Sequence, residues 1–266
     1  MYPFIHIGPL TLGSYGLMVA IGLICAFFIL RADFTRRGVS ADAEAIIGIT
    51  GLAGLAGSRI YHLLETPAEF FADPWPQLFS TMGFAFAGAI IGGFFALLLL
   101  AKRFRMPALL MLDAASPAAA LGYGIGRIGC LISGDGDYGK PTTLPWGMAF
   151  PHGLSPTTQS CVEWGAAPDC RVHPTPIYEF LVAILIFWIL WRLGARCLKT
   201  RAPNGIIFAA YLVLTGIARF LVEIIRINPR SFYGLTNAQT ASVVSVLAGV
   251  ALFVYCRKAP RQELRT

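Results

Sequence analysis

Charge is what this chain has least of. Asp, Glu, Lys and Arg together make 13% of its 266 residues, against roughly a quarter in soluble globular domains. Apolar residues reach 56%, and mean hydropathy is +0.65. Those values exclude an ordinary water-soluble domain. Three further absences narrow the class. The period-two alternation of a transmembrane barrel strand is missing. No internal repeat is present. No HExxH or CxxC pairing occurs among the four histidines and six cysteines, so neither a catalytic metal nor a cofactor is expected. The opening stretch MYPFIHIGPLTLGSYG has no basic region and no small-residue cleavage site, so no cleaved signal is expected either. It reads as a short amphipathic segment on the outer membrane surface.

What is there in quantity is long apolar runs. A spanning helix needs about 20 mostly apolar residues. Seven stretches approach or meet that length, at residues 15–30, 43–64, 84–101, 107–132, 176–190, 205–225 and 238–255. The expectation is an all-α, polytopic membrane protein of about seven transmembrane helices. It forms one transmembrane domain over residues 1–266, with a long extracytoplasmic loop at about 133–173.

The net charge of +7 raises the question of nucleic acid, and its placement answers it. Arg31, Arg36 and Arg37 follow the first run, and Lys102, Arg103 and Arg105 the third. Arg192, Arg196, Lys199 and Arg201 follow the fifth, and Arg257, Lys258, Arg261 and Arg265 the seventh. Basic residues on alternate connections are the positive-inside pattern. It places the N-terminus outside and the C-terminus in the cytoplasm, and it gives the charge to orientation rather than to a nucleic-acid partner. Cys161 and Cys170 share the long outer loop, where an oxidising compartment favours a disulfide. Two unpaired loop thiols are the alternative.

A few arginines stand where the pattern does not want them. Arg59, Arg127 and Arg219 fall within or near the outer ends of the second, fourth and sixth runs. An arginine at such depth must pair, reach water or serve a site. Arg219, Glu223 and Arg226 are spaced to share one helix face. Arg127 lies among Gly122, Gly124, Gly126 and Gly129, which allow close approach of a neighbouring helix or of a ligand. One reading is structural ion pairing of Arg59 with Glu65, Arg127 with Asp135 and Arg219 with Glu223. The other is a lipid phosphate site, since guanidinium groups fork onto phosphate oxygens. GDGDYG, residues 134–139, lacks the further acids of a calcium loop and reads as a turn with an arginine-orienting carboxylate. His173, at the mouth of the fifth run, is the best-placed histidine for a base. Asp113 and Pro117 interrupt the fourth run, with a kink and a satisfied aspartate as the simplest account.

These stretches carry a resemblance. SYGLM (14–18), GSRIYHLL (57–64), DAASPAAALGYGIGRIGCLISGD (113–135), HPTPIYE (173–179) and RFLVEIIR (219–226) resemble, in order and spacing, motifs of the phosphatidylglycerol–prolipoprotein diacylglyceryl transferases, enzymes of the bacterial inner membrane. The resemblance implies transfer of a diacylglyceryl group from phosphatidylglycerol, or a related anionic phospholipid, to the lipobox cysteine of a prolipoprotein signal peptide, at the outer leaflet. It implies Arg127 and Arg219 facing the phosphate, Glu223 as the supporting acid, Tyr15 lining the lipid site and Arg226 in the same cluster; with His173 added for its place, the expected catalytic set is Arg127, Arg219, Glu223 and His173. Tyr15, Arg59, Arg127, Asp135, Gly139 and Arg226 form the lipid-binding set. The chain also departs from the family's pattern. Ala87 stands where a third-span histidine is usual, and Cys130, Ser133 and Asp135 replace the amides and glutamate of GRxGNFxNGE. Thr215 replaces a tyrosine, and GDGDYGK carries one extra residue. The base role would fall to His173, His62 or Asp137. A relative using another phospholipid or acceptor, or a non-catalytic lipid-binding protein, remains an alternative.

Overall fold

The computed structural model describes residues 2–8, 10–80, 83–231 and 233–258. Arg261 and Arg265 of the expected inner-side charge lie outside them. Seven long apolar helices occur among the described residues: α1 (Ser14–Arg37), α2 (Ala43–Glu65), α5 (Phe86–Arg103), α6 (Ala108–Ser133), α8 (Thr175–Thr200), α9 (Ile206–Ile225) and α10 (Asn237–Lys258). Short helices α3 (Pro67–Ala72) and α4 (Pro74–Phe79) follow α2, and α7 (Thr157–Glu163) lies in the long loop. Each expected span is present. α1 and α8 run on past their apolar stretches, ending at Gly38 with φ 66° and at Arg201 with φ 51°. Their arginine-rich tails are good helix formers, so only a left-handed residue stops them. The N-terminal stretch is a hairpin of β1 (Phe4–Ile7) and β2 (Leu10–Gly13), with Phe4 opposite Gly13.

The chain divides into two compact units, Leu30–Leu112 and Met1–Ile29 with Asp113–Thr266. In the smaller unit α2 lies against α5 along a seam of small residues. A methyl group on Gly57 would collide with the Gly88 carbonyl, and one on Gly92 with the Ala53 carbonyl. Ser58 Oγ donates to the Ala85 carbonyl at 2.9 Å. At the tail of α1, buried Asp33 takes both Arg36 and Arg37.

In the larger unit α6 is the middle member. A methyl at Gly22 of α1 would stand 3.2 Å from the Gly122 carbonyl, and one at Gly124 would stand 2.9 Å from Ala183 Cβ of α8. Gly122 and Gly124 thus admit α1 and α8 to α6. Ala120, Ile186, Leu190 and Ile207 make a core shared by α6, α8 and α9. Asp113 explains itself here. Its carboxylate accepts the Gly205 and Phe208 N–H groups, both at 2.7 Å, and so satisfies the open donors at the start of α9.

The long loop is folded. Tyr138 stacks on Phe150 with ring centroids 4.2 Å apart, and these two join Cys161 and Val172 in a fully buried cluster. Cys161 and Cys170 are bonded. Val172 bridges to both Pro141 and Met148, and Gly139 bridges to Arg226. This tertiary order around Tyr138 holds the segment next to it, residues 134–140, against the ends of α8 and α9.

Candidate active site

The site lies where α6 and α9 end and α8 begins. Arg127, one turn before Cys130, extends over the Tyr123 ring, 4.9 Å from its centroid. Tyr123 in turn donates its hydroxyl to Glu179 Oε1 at 2.6 Å. Glu179, in the second turn of α8, is 4% exposed. It is the hub. Arg219 Nη1 lies 2.6 Å from Oε1, and Arg127 Nε and Arg226 Nη1 each lie 3.4 Å from Oε2.

Two more carboxylates complete the cluster. Glu223, fully buried, faces Arg219 at 3.3 Å and Arg226 at 3.7 Å, and takes the Asn228 side-chain amide on its other oxygen. Asp137 binds Arg127 through one oxygen and Arg226 through the other. Three guanidinium groups therefore meet three carboxylates. Burial pushes the Asp137 carboxyl up, but Arg226 and then Arg127 outweigh it and hold the group below its ordinary range. The inner members are nearly inaccessible. Arg219 and Asp137 form the open edge, with 27% and 28% of their side chains exposed.

The expected arginines Arg127, Arg219 and Arg226 come together with Glu223. Asp135, expected to orient an arginine, forms no ion pair among the described residues. Gly136, at φ 93°, turns the chain so that the Asp137 N–H donates to Asp135 Oδ1 at 3.3 Å, and Asp137 is delivered to the guanidinium groups instead. Asp135 faces Cys130, whose Sγ also receives Arg127 Nη1 at 3.6 Å. The donor atoms of Cys130, Asp135 and Asp137 lie within 4.8 Å of one another. Two of those three already take guanidinium hydrogen bonds, so the group serves arginine rather than a cation.

Tyr15, in the first turn of α1, lies against Gly129 and interacts with Cys130, Arg127, Asp135 and Asp137. Gly139 is there for space: a methyl on it would stand 2.7 Å from His173 Cβ and 2.9 Å from the Ile225 carbonyl. His173 Nδ1 is 3.2 Å from the Tyr178 hydroxyl, which accepts the Trp146 indole N–H at 2.8 Å. Arg59 belongs to the smaller unit, where Nη1 donates to the Gly83 carbonyl at 2.7 Å and the guanidinium covers Phe84.

A family model described as prolipoprotein diacylglyceryl transferase matches residues 3–255. The chain belongs to the prolipoprotein diacylglyceryl transferase family. It is 32% identical over 249 residues to the phosphatidylglycerol–prolipoprotein diacylglyceryl transferase of Clostridium tetani, covering 92% of this chain and 93% of that protein. The enzyme of the same name from Chromohalobacter salexigens is 32% identical over 270 residues, with 98% and 94% covered. The one from Trichormus variabilis is 30% identical over 266 residues, with 98% and 92% covered.

Within this prolipoprotein diacylglyceryl transferase family member, sequence reasoning passed over the hub. Glu179 closes HPTPIYE, the stretch that His173 opens. The available signal was arithmetic: three arginines gathered at one depth need more anionic charge than Glu223 alone supplies.

Proposed function

We propose that this protein transfers a diacylglyceryl group from phosphatidylglycerol to the lipobox cysteine thiol of a prolipoprotein, at the outer leaflet of a bacterial inner membrane. The whole chain, residues 1–266, acts as one transferase domain, with its N-terminus outside and its C-terminus in the cytoplasm. The observation that carries the reading is the convergence of Arg127, Arg219 and Arg226 on one buried carboxylate, with Arg219 left at the open edge. Family membership supplies the reaction class.

The acceptor sulfur attacks the glyceryl carbon that bears the phosphoester. A C–S bond forms, the C–O bond breaks, and its electron pair leaves with the phosphate oxygen as glycerol phosphate. Negative charge grows on that oxygen, and preorganised guanidinium groups stabilise it more than they stabilise the ground state. Arg219 and Arg127 receive the phosphate, the half-exposed Asp137 carboxylate giving way to it. Glu179 and Glu223 hold the arginines in place, Arg226 completes the cluster, and Tyr15 lines the lipid side.

Depleting a bacterium of its own diacylglyceryl transferase and supplying this chain tests the reading. The expected result is growth, with a diacylglyceryl adduct on a test lipoprotein by mass spectrometry. Correctly inserted protein that forms no adduct would overturn it, and an adduct formed unchanged by Arg219→Ala would overturn the mechanism. The internal charge balance of the cluster favours one second reading, a binding protein whose arginines are structural. It predicts lipid binding without an adduct.

A further inference from the structure

Four carboxylates occupy the site, and they are not equivalent. Glu179, Glu223 and Asp137 are each committed to arginine. Asp135 alone has no ion pair among the described residues. It is half-buried, accepts only the Asp137 N–H at 3.3 Å among backbone donors, and has a carboxylate oxygen within 4.8 Å of Cys130 Sγ. A sulfhydryl group of the protein thus already lies beside the Asp135 carboxylate, one turn from Arg127.

We propose that Asp135 is the base that removes the proton from the acceptor cysteine. The inference rests on the transferase reading above. The acceptor thiol, entering beside Cys130, gives its proton to Asp135. The thiolate so formed attacks the glyceryl carbon, and the C–O electron pair leaves with the phosphate held by Arg127 and Arg219. The proton then passes from Asp135 to the departing phosphate or to water, and the carboxylate is restored. No other reagent is consumed.

Neighbouring groups suit the task. Tyr15 from α1, Arg127 and Cys130 from α6, and Asp137 and Tyr138 from the loop are the ionisable groups that face it. Burial, and then the Asp137 carboxylate, raises the Asp135 carboxyl above its ordinary value, which narrows the gap to a thiol. Asp137 is the poorer base, because two arginines stabilise its ionised form. His173 Nδ1 is taken by Tyr178.

The test uses the full-length protein in phosphatidylglycerol vesicles, with a lipobox peptide followed by mass spectrometry from about pH 5 to about pH 9. Asp135→Asn should lower kcat/KM by about 10²–10⁴-fold near neutral pH. The deficit should shrink as pH approaches the thiol's own pKa of about 8.5. Asp135→Glu should recover part of the rate. A peptide with selenocysteine at the acceptor position ionises without help, so it should rescue Asp135→Asn and flatten the acid limb of the unaltered protein. Arg219→Ala should show a deficit that neither pH nor selenium relieves. A wild-type rate and pH profile in Asp135→Asn would overturn the assignment. So would a deficit constant across pH, or an acid limb in the unaltered protein that selenium leaves in place. The last result needs no variant to fold. No adduct from the unaltered protein at any pH, with either acceptor, would overturn the transferase reading and the base with it.

Discussion

Two arginine–carboxylate clusters sit among the described residues, and they are built by opposite means. At the tail of α1, Asp33, Arg36 and Arg37 meet within one helical turn, and Asp33 is fully buried between them. At the other cluster, Arg127, Asp137, Glu179, Arg219, Glu223 and Arg226 arrive from three helices and a loop. The first needs only the i,i+3 and i,i+4 spacing of any helix. The second exists only when the fold is complete, so its charges are held against one another rather than merely paired. That difference separates an ion pair that ends a helix from one that can wait for a ligand.

The largest effect should come from breaking the assembled cluster at its hub. Glu179→Ala leaves three guanidinium groups around an empty centre, and removing one partner of a buried pair costs about 3–5 kcal/mol. Adduct formation should vanish, and thermal unfolding in detergent should move down sharply. Glu179→Gln, which keeps the shape, should unfold later than Glu179→Ala but remain inactive.

Asp137 gives the comparison a pH dependence. Its folded carboxyl lies below the ordinary range, and the unfolded value is about 3.9. Its contribution is therefore fully present above about pH 3.9 and is lost as pH falls through the lower, folded value. Asp137→Asn should unfold earlier than the unaltered protein at neutral pH, and the gap should close in strong acid. Melting curves across pH check this.

Asp113→Ala should be milder. It removes a side-chain cap from the start of α9, worth about 0.5–2 kcal/mol, and leaves the arginines untouched. A lowered melting temperature with activity retained at permissive temperature is the expected pair of results. Smallest should be Asp33→Asn, which keeps the shape of the buried side chain and an acceptor oxygen for two arginines on its own helix. Arg36 and Arg37 stand in the last turn of α1, from which long side chains can swing out to water. If Asp33→Asn destabilises as much as Glu179→Ala, the contrast between local and assembled clusters fails.

The same contrast explains what could be read from the chain alone. Seven helices were legible, because apolar length is a property of each segment by itself. The far ends of α1 and α8 were not, since a helix does not stop where its apolar stretch does. Arg127, Arg219, Glu223 and Arg226 were legible as charges in the wrong solvent. Glu179 was not, because an acid near the mouth of a span reads as an interfacial residue until the fold sets three arginines around it. Asp137 rather than Asp135 meets the arginines, because the turn at Gly136 sets which of the two carboxylates faces inward. The buried cluster of Tyr138, Phe150, Cys161 and Val172 was hidden in a stretch with no periodicity.

The Asp113 cap has a mechanical meaning. It ties the start of α9 to α6, while Asp137 ties Arg127 near the end of α6 to Arg226 at the end of α9. Between the ties, Ile186 and Leu190 of α8 fill the gap. Two parallel struts fastened at both ends and filled in the middle resist being spread apart. Hydrogen exchange should accordingly find α6 and α9 among the last backbone amides of the larger unit to open. A lipid reaching the arginines would pass around this frame rather than through it.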